Sequence, residues 1–265
     1  MSDQTLAEER SRSLRVQRVC AWTGPLFIVL MAVGFVGIAR MIPPPAPGDA
    51  ADETARFFLD HPDRMKLGMI VSVLAAGLLV PFSTVIALQV RRIEGRYPAL
   101  SMIQFACGVL LSLEFIYLIF FWQAAVFRQD RDPGLVQLLN DMAWIPYIGL
   151  SVTVCMQAAA LGVAALLDRR QAPVFPRWFG FYQLWAAVFF LPGTFNVYFH
   201  DGPLAWDGLI AFYLPIFVYV SWVVVTPMMV LKAIDHQEAE EAEQQPVDLA
   251  TLAAEVAQLR ADLVR

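Results

Sequence analysis

Lysine is almost missing from this chain: only Lys66 and Lys232 occur, both at the edges of apolar runs. No apolar run therefore offers a Schiff-base amine, which excludes a retinal pigment. Cysteine is scarce too. Cys20, Cys107 and Cys155 lie in or beside apolar runs, with neither metal-ligand spacing nor a disulfide framework, and read as buried thiols. Three dispersed histidines do not suit a haem bundle or a di-iron membrane oxygenase. There is no phosphate-cradling loop, no arginine-rich voltage-sensing segment, no TVGYG filter and no serine nucleophile elbow. Charge of either sign is thin, at 16% of residues, where a soluble domain carries about a quarter.

What fills the space is apolar. Hydrophobic residues make up 58% of the chain and the mean hydropathy is +0.56. Crossing the hydrocarbon core takes about 20 consecutive, mostly apolar residues. Six runs reach that length: 19–41, 67–90, 99–127, 144–167, 178–199 and 209–234. Only helices and closed barrels satisfy their backbone in lipid, and barrel strands alternate over about ten residues. These runs do not alternate. The expected fold is all-α, a polytopic bundle of six transmembrane helices over 19–234. It is preceded by a cytoplasmic segment 1–18 and followed by a cytoplasmic tail 235–265. The charged N-terminus precedes no small-residue cleavage site, so the first run is expected to stay as an anchor.

Arginine placement sets the orientation. Arg10, Arg12, Arg15 and Arg18, then Arg91, Arg92 and Arg96, then Arg169, Arg170 and Arg177 share one side with Lys232. The other side holds fewer positive residues and more acids, among them Asp49, Asp52, Glu53, Asp60 and Asp63. Both termini are thus expected in the cytoplasm of a bacterium, with the protein in its inner membrane. Short helices are expected in the outer loops at 51–60 and 132–141, the second with Pro133 in its first turn. Trp144, Trp178, Trp206, Tyr147 and Tyr198 are expected as interfacial aromatic belts.

The stretches LLNDMAW (138–144), PVFPRWFG (173–180) and GPLAWDGLIAFYLP (202–215) resemble those of six-span integral membrane proteins common in actinobacteria. The resemblance runs from the first span to the last and excludes the tail. No activity is assigned to that family, so it implies a topology and no mechanism.

The tail carries its own pattern. Leu249, Leu252, Val256, Leu259 and Leu263 are spaced three, four, three, four, the a/d seam of a coiled coil over 248–265. In that register Glu255 and Arg260 occupy g and the following e, which a parallel partner would bring together. Membrane tethering raises the effective concentration of so short a helix, and self-association into a homo-oligomer is expected.

One residue stands out for chemistry. Glu114 sits near the middle of the third apolar run, where a charge costs at least about 2.5–3.5 kcal/mol. It should face the bundle interior or a cavity. Polar groups at similar depth are Tyr117, Gln157, Cys155, Tyr219, Ser221, Ser83 and Thr84. Pro25, Pro81, Pro146, Pro192 and Pro215 can kink the helices, and the LPGTFN stretch ending at Asn196 combines proline with glycine in one span. Broken helices line transporter sites. The candidate ligand-binding set is therefore Glu114, Tyr117, Gln157, Tyr219 and Asn196. His200, Asp201, Asp141 and His61 have no fixed ligand spacing, and neither metal nor cofactor is implied.

Three functions fit this pattern. A small apolar molecule or cation binds at, or passes through, a site around Glu114. Alternatively, a membrane-embedded enzyme acts on a lipid-soluble substrate with Glu114 as general acid, or the chain is a scaffold subunit. Of these, enzyme is less favoured than binding. The partners expected are the bilayer, a second copy and a small ligand, not nucleic acid.

Overall fold

The computed structural model describes residues 3–149 and 151–243. Among them every regular element is helical, as the non-alternating apolar runs require. The α-helices are α1 (Asp3–Met31), α2 (Ala51–Leu59), α3 (Pro62–Ala76), α4 (Leu79–Glu94), α5 (Ala99–Phe127), α6 (Pro133–Gly149), α7 (Val152–Leu167), α8 (Arg177–Phe190) and α9 (Leu214–Glu243). Among the described residues five stretches are long and apolar enough to cross a membrane: Glu8–Ile38, Pro62–Glu94, Ala99–Phe127, Pro133–Leu167 and Leu209–Glu243. The heptad residues Leu249, Leu252, Val256, Leu259 and Leu263, with Glu255 and Arg260, lie outside the described residues.

Among the described residues three helical segments leave α geometry. α1 continues as a π-helical turn over Ala32–Ile38, where the Ala39 N–H donates to the carbonyl of Gly34 at 2.9 Å. α8 continues as a 3-10 helix over Leu191–Tyr198. α9 is preceded by a π-helical segment, Leu209–Tyr213. Proline explains two of these. Pro192 stands in the first turn of the 3-10 segment and Pro215 just inside α9. Each lacks the N–H that would continue the preceding α-helix. Pro81 acts alike in the second apolar run: α3 ends at Ala76 and α4 starts at Leu79, so the carbonyl against which the Pro81 ring would clash falls in the break.

The fourth run differs from the reading of an outer-loop helix at 132–141 followed by a span from Trp144. α6 begins at Pro133, so the two form one helix. Asp132 sets its start, its carboxylate accepting the Gly134 N–H at 2.9 Å. The aromatic belt also divides. Trp178 and Tyr198 are exposed, whereas Trp144 and Trp206 are buried. Trp144 packs against Trp122 with centroids 4.8 Å apart. The Trp206 indole N–H donates to the carbonyl of Pro45 at 2.8 Å. Sequence position near a span end does not say which way a ring faces.

One end of the bundle is tied by a polar network. Arg18 on α1 pairs with Asp235 and Glu238 on α9, at 2.9 and 2.6 Å. Gln89 on α4 donates to Gln17 at 2.7 Å and to Gln237 at 3.0 Å. Arg92 donates to Gln89, to the carbonyl of Ala233 and to Glu240 at 2.6, 2.9 and 2.7 Å. The middle of α1 and the ends of α4 and α9 are thus held together. At the opposite end α2 packs on α6, and Gln137 donates to the carbonyl of Asp49 at 2.9 Å.

Candidate functional site

Leu111, Glu114, Phe115 and Leu118 recur at helical spacing on one face of α5 and line a cavity of about 220 Å³ inside the bundle. Phe27 and Met31 of α1, Phe35 of its π-helical extension, Tyr147 and Ile148 of α6, Phe190 of α8, and Phe212 and Tyr219 near and on α9 complete most of its wall. Among the described residues Glu114 is the only charged one of that wall.

The carboxylate is anchored. The Thr153 hydroxyl of α7 donates to Glu114 Oε2 at 2.8 Å. A hydroxyl donor is a sound partner for a carboxylate in a poorly hydrated interior, since an unmet acceptor there costs about 1–3 kcal/mol or more. Around it the rings form a connected set. Phe115 meets Phe27 at 5.4 Å, Tyr147 at 5.5 Å and Tyr219 at 6.2 Å between centroids. Phe27 meets Tyr219 at 6.2 Å, and Phe35 stacks on Tyr147 at 5.7 Å. The Tyr219 hydroxyl is buried without a hydrogen-bond partner among the described residues.

The irregular backbone gathers here. Ala32, Phe35 and Val36 come from the first π-helical segment, and Ala211 and Phe212 from the second. The 3-10 segment backs the same wall through Gly193. A Cβ there would stand 2.5 Å from the carbonyl oxygen of Ile148 and 3.4 Å from that of Ala211. Only glycine lets the 3-10 segment lie so close to two wall residues. Pro146 and Pro215 also line the cavity.

Of the sequence-derived set, the fold brings Glu114 and Tyr219 together at this cavity. Tyr117 lies elsewhere: its side falls off the Leu111–Phe115–Leu118 face, it is 57% exposed, and its ring meets Phe121 at 5.1 Å. Gln157 is buried one turn beyond Thr153 and donates to Ser83 Oγ at 3.2 Å, joining α7 to α4. Gly108 of α5 permits that approach, because a Cβ there would run into Ser83. Asn196 is buried and donates to the carbonyl of Ile145 at 3.0 Å, fixing the 3-10 segment to α6. Ser221 and Thr84, at a similar depth, are also used elsewhere. Ser221 pairs with the Tyr182 hydroxyl at 2.8 Å, and Thr84 donates to the carbonyl of Val80.

Sequence reasoning did not select Thr153, Phe27, Phe115 or Tyr147. Thr153 sits four residues before Gln157, on the same helix face, and that spacing was the available signal. No family model, curated protein or solved structure matches the chain.

Proposed function

We propose that this is a six-span protein of a bacterial cytoplasmic membrane that binds or passes a small apolar molecule or cation at the Glu114 cavity. One observation carries the reading: two π-helical segments line, and a 3-10 segment backs, the cavity whose wall holds Glu114, the carboxylate in the middle of α5. Non-helical backbone at membrane depth is tolerated where it lines a cavity. π-Helical turns are frequent at functional sites, and discontinuous helices at binding sites. A scaffold would be served by a filled interior. A general-acid enzyme would want a second reacting group, and among the described residues the wall's other titratable side chains are Tyr147 and Tyr219.

The six-span topology is supported by the dimensions of the fifth run. The 14 residues of α8 and 8 residues of its 3-10 continuation rise about 21 and about 16 Å, enough together for a core of about 30 Å. The arginine distribution supports termini in the cytoplasm, and the pairing of Arg18 with Asp235 and Glu238 agrees with a shared side. Homo-oligomerisation through the tail remains part of the proposal and rests on the heptad pattern.

The test is thermal unfolding of the full-length protein in detergent, with neopentylbenzene and benzyltrimethylammonium as probes. A ligand at about 100 times its Kd adds about 2.7 kcal/mol, a shift of several degrees. Val36→Trp, which places a bulky ring in the wall, should blunt that shift. If neither probe stabilises the wild type, the reading fails.

A further inference from the structure

The cavity's chemistry favours one class of occupant, and its shape one route. Among the described residues its wall has no Lys, Arg or His to neutralise Glu114. An inorganic cation would want several oxygen ligands, and apart from Glu114 the wall's polar side chains are Ser151, Tyr147 and Tyr219. What the wall has in number is aromatic rings. Phe27, Phe115, Tyr147 and Tyr219 line the cavity together with Glu114, each ring within 6.2 Å of another. Ring faces carry negative charge density and attract organic cations when desolvated. The unpartnered Tyr219 oxygen adds lone pairs that a cation can meet. At about 220 Å³ the space is smaller than the roughly 300–1,000 Å³ of sites for drug-sized ligands.

The wall is also open sideways. Its exposed residues are Ala32 and Val36, from the extension of α1, and Val220 of α9. Val36 is 41% and Val220 40% exposed. Both helices are apolar enough to cross a membrane, so a gap between them faces lipid.

Resting on the binding role argued above, we propose that the occupant is a small lipophilic organic monocation, an alkyl- or arylammonium. It enters from the bilayer between the extension of α1 and α9, and its charged head lies against Glu114 within the four rings. The cation neutralises a carboxylate whose hydrogen-bond partner, the Thr153 hydroxyl, carries no charge, and the rings replace its lost hydration.

The test compares benzyltrimethylammonium with neopentylbenzene, which has the same shape and no charge, by titration of the full-length protein in lipid nanodiscs. The cation should bind at least tenfold more tightly, and Glu114→Gln should erase the difference. Phe115→Leu keeps the charge and removes one ring. It should weaken cation binding about fivefold and leave neopentylbenzene within twofold, and it decides the matter should Glu114→Gln fail to fold. Equal or tighter binding of neopentylbenzene overturns the cation and leaves the binding site standing. Binding of neither probe overturns both. Val36→Trp should slow association of the cation, and an unchanged rate overturns the lateral route.

Discussion

The hydroxyl of Thr153 donates to Glu114 at 2.8 Å and so couples α7 to α5 at the centre of the bundle. The pair is a tie between helices as well as the anchor of the cavity's charge. Interhelical hydrogen bonds in membrane proteins are worth about 0.6 kcal/mol on average and up to about 1.7. Thr153→Val keeps the volume and removes the donor. It should destabilise the protein by about that amount, measured by unfolding in mixed micelles. Unchanged stability would mean that the bond holds the carboxylate's position without contributing to the fold.

Gly193→Ala should cost about 1–3 kcal/mol. The new methyl would meet the carbonyl of Ile148 at 2.5 Å, and backbone cannot swing aside as a side chain can. Gly149→Ala is the control, because the nearest atom to its Cβ would be Asn196 Oδ1 at 3.9 Å. Melting temperatures of the two variants should separate clearly. Equal values would show that the 3-10 segment shifts freely.

The two arginines of the tied end should behave differently. Arg92 is largely buried and makes three hydrogen bonds. Arg92→Ala should destabilise by about 1.5–3 kcal/mol, the range for bonds to charged groups. Arg18 faces partners that are 63% and 55% exposed, and Arg18→Ala should cost less than about 1 kcal/mol. Chemical denaturation of both variants checks the order, and a larger loss for Arg18 would reverse it.

Asp168 gives a pH dependence. Burial alone would push its carboxyl up, but hydrogen bonds from the Arg170 side chain and from the N–H groups of Val174 and Arg170 hold it below the usual range. A group depressed in the folded state stabilises above its unfolded value, near about 3.9, and loses that contribution as the pH falls through its folded value. The wild type should therefore exceed Asp168→Asn in melting temperature at neutral pH, and the gap should close below about pH 4. A gap that persists at lower pH would contradict the assignment.

Much of this was legible in the residues. Scarce charge and long apolar runs pointed to helices fit for a membrane, and Pro81, Pro192 and Pro215 marked where helices change. Glu114 announced itself by its depth. Which groups meet it was not legible, because that depends on how each helix is rotated about its axis. A rotation of one residue's arc separates Tyr117, turned outward, from Leu118, turned into the cavity. Tyr147 and Trp144 likewise look like interface residues until α6 is seen to begin at Pro133 and carry them inward.

The tied end has a mechanical meaning. α1 and α9 are clasped by Arg18, Asp235 and Glu238, while the gap between them lies in their other halves, beside Val36 and Val220. Two rods pinned at one end can part only as scissors do. Pro25 in α1 and Pro227 in α9 stand between the clasp and the gap, where each helix lacks a backbone bond and bends most easily. Widening the gap is then a swing of two short arms, and the far end need not move.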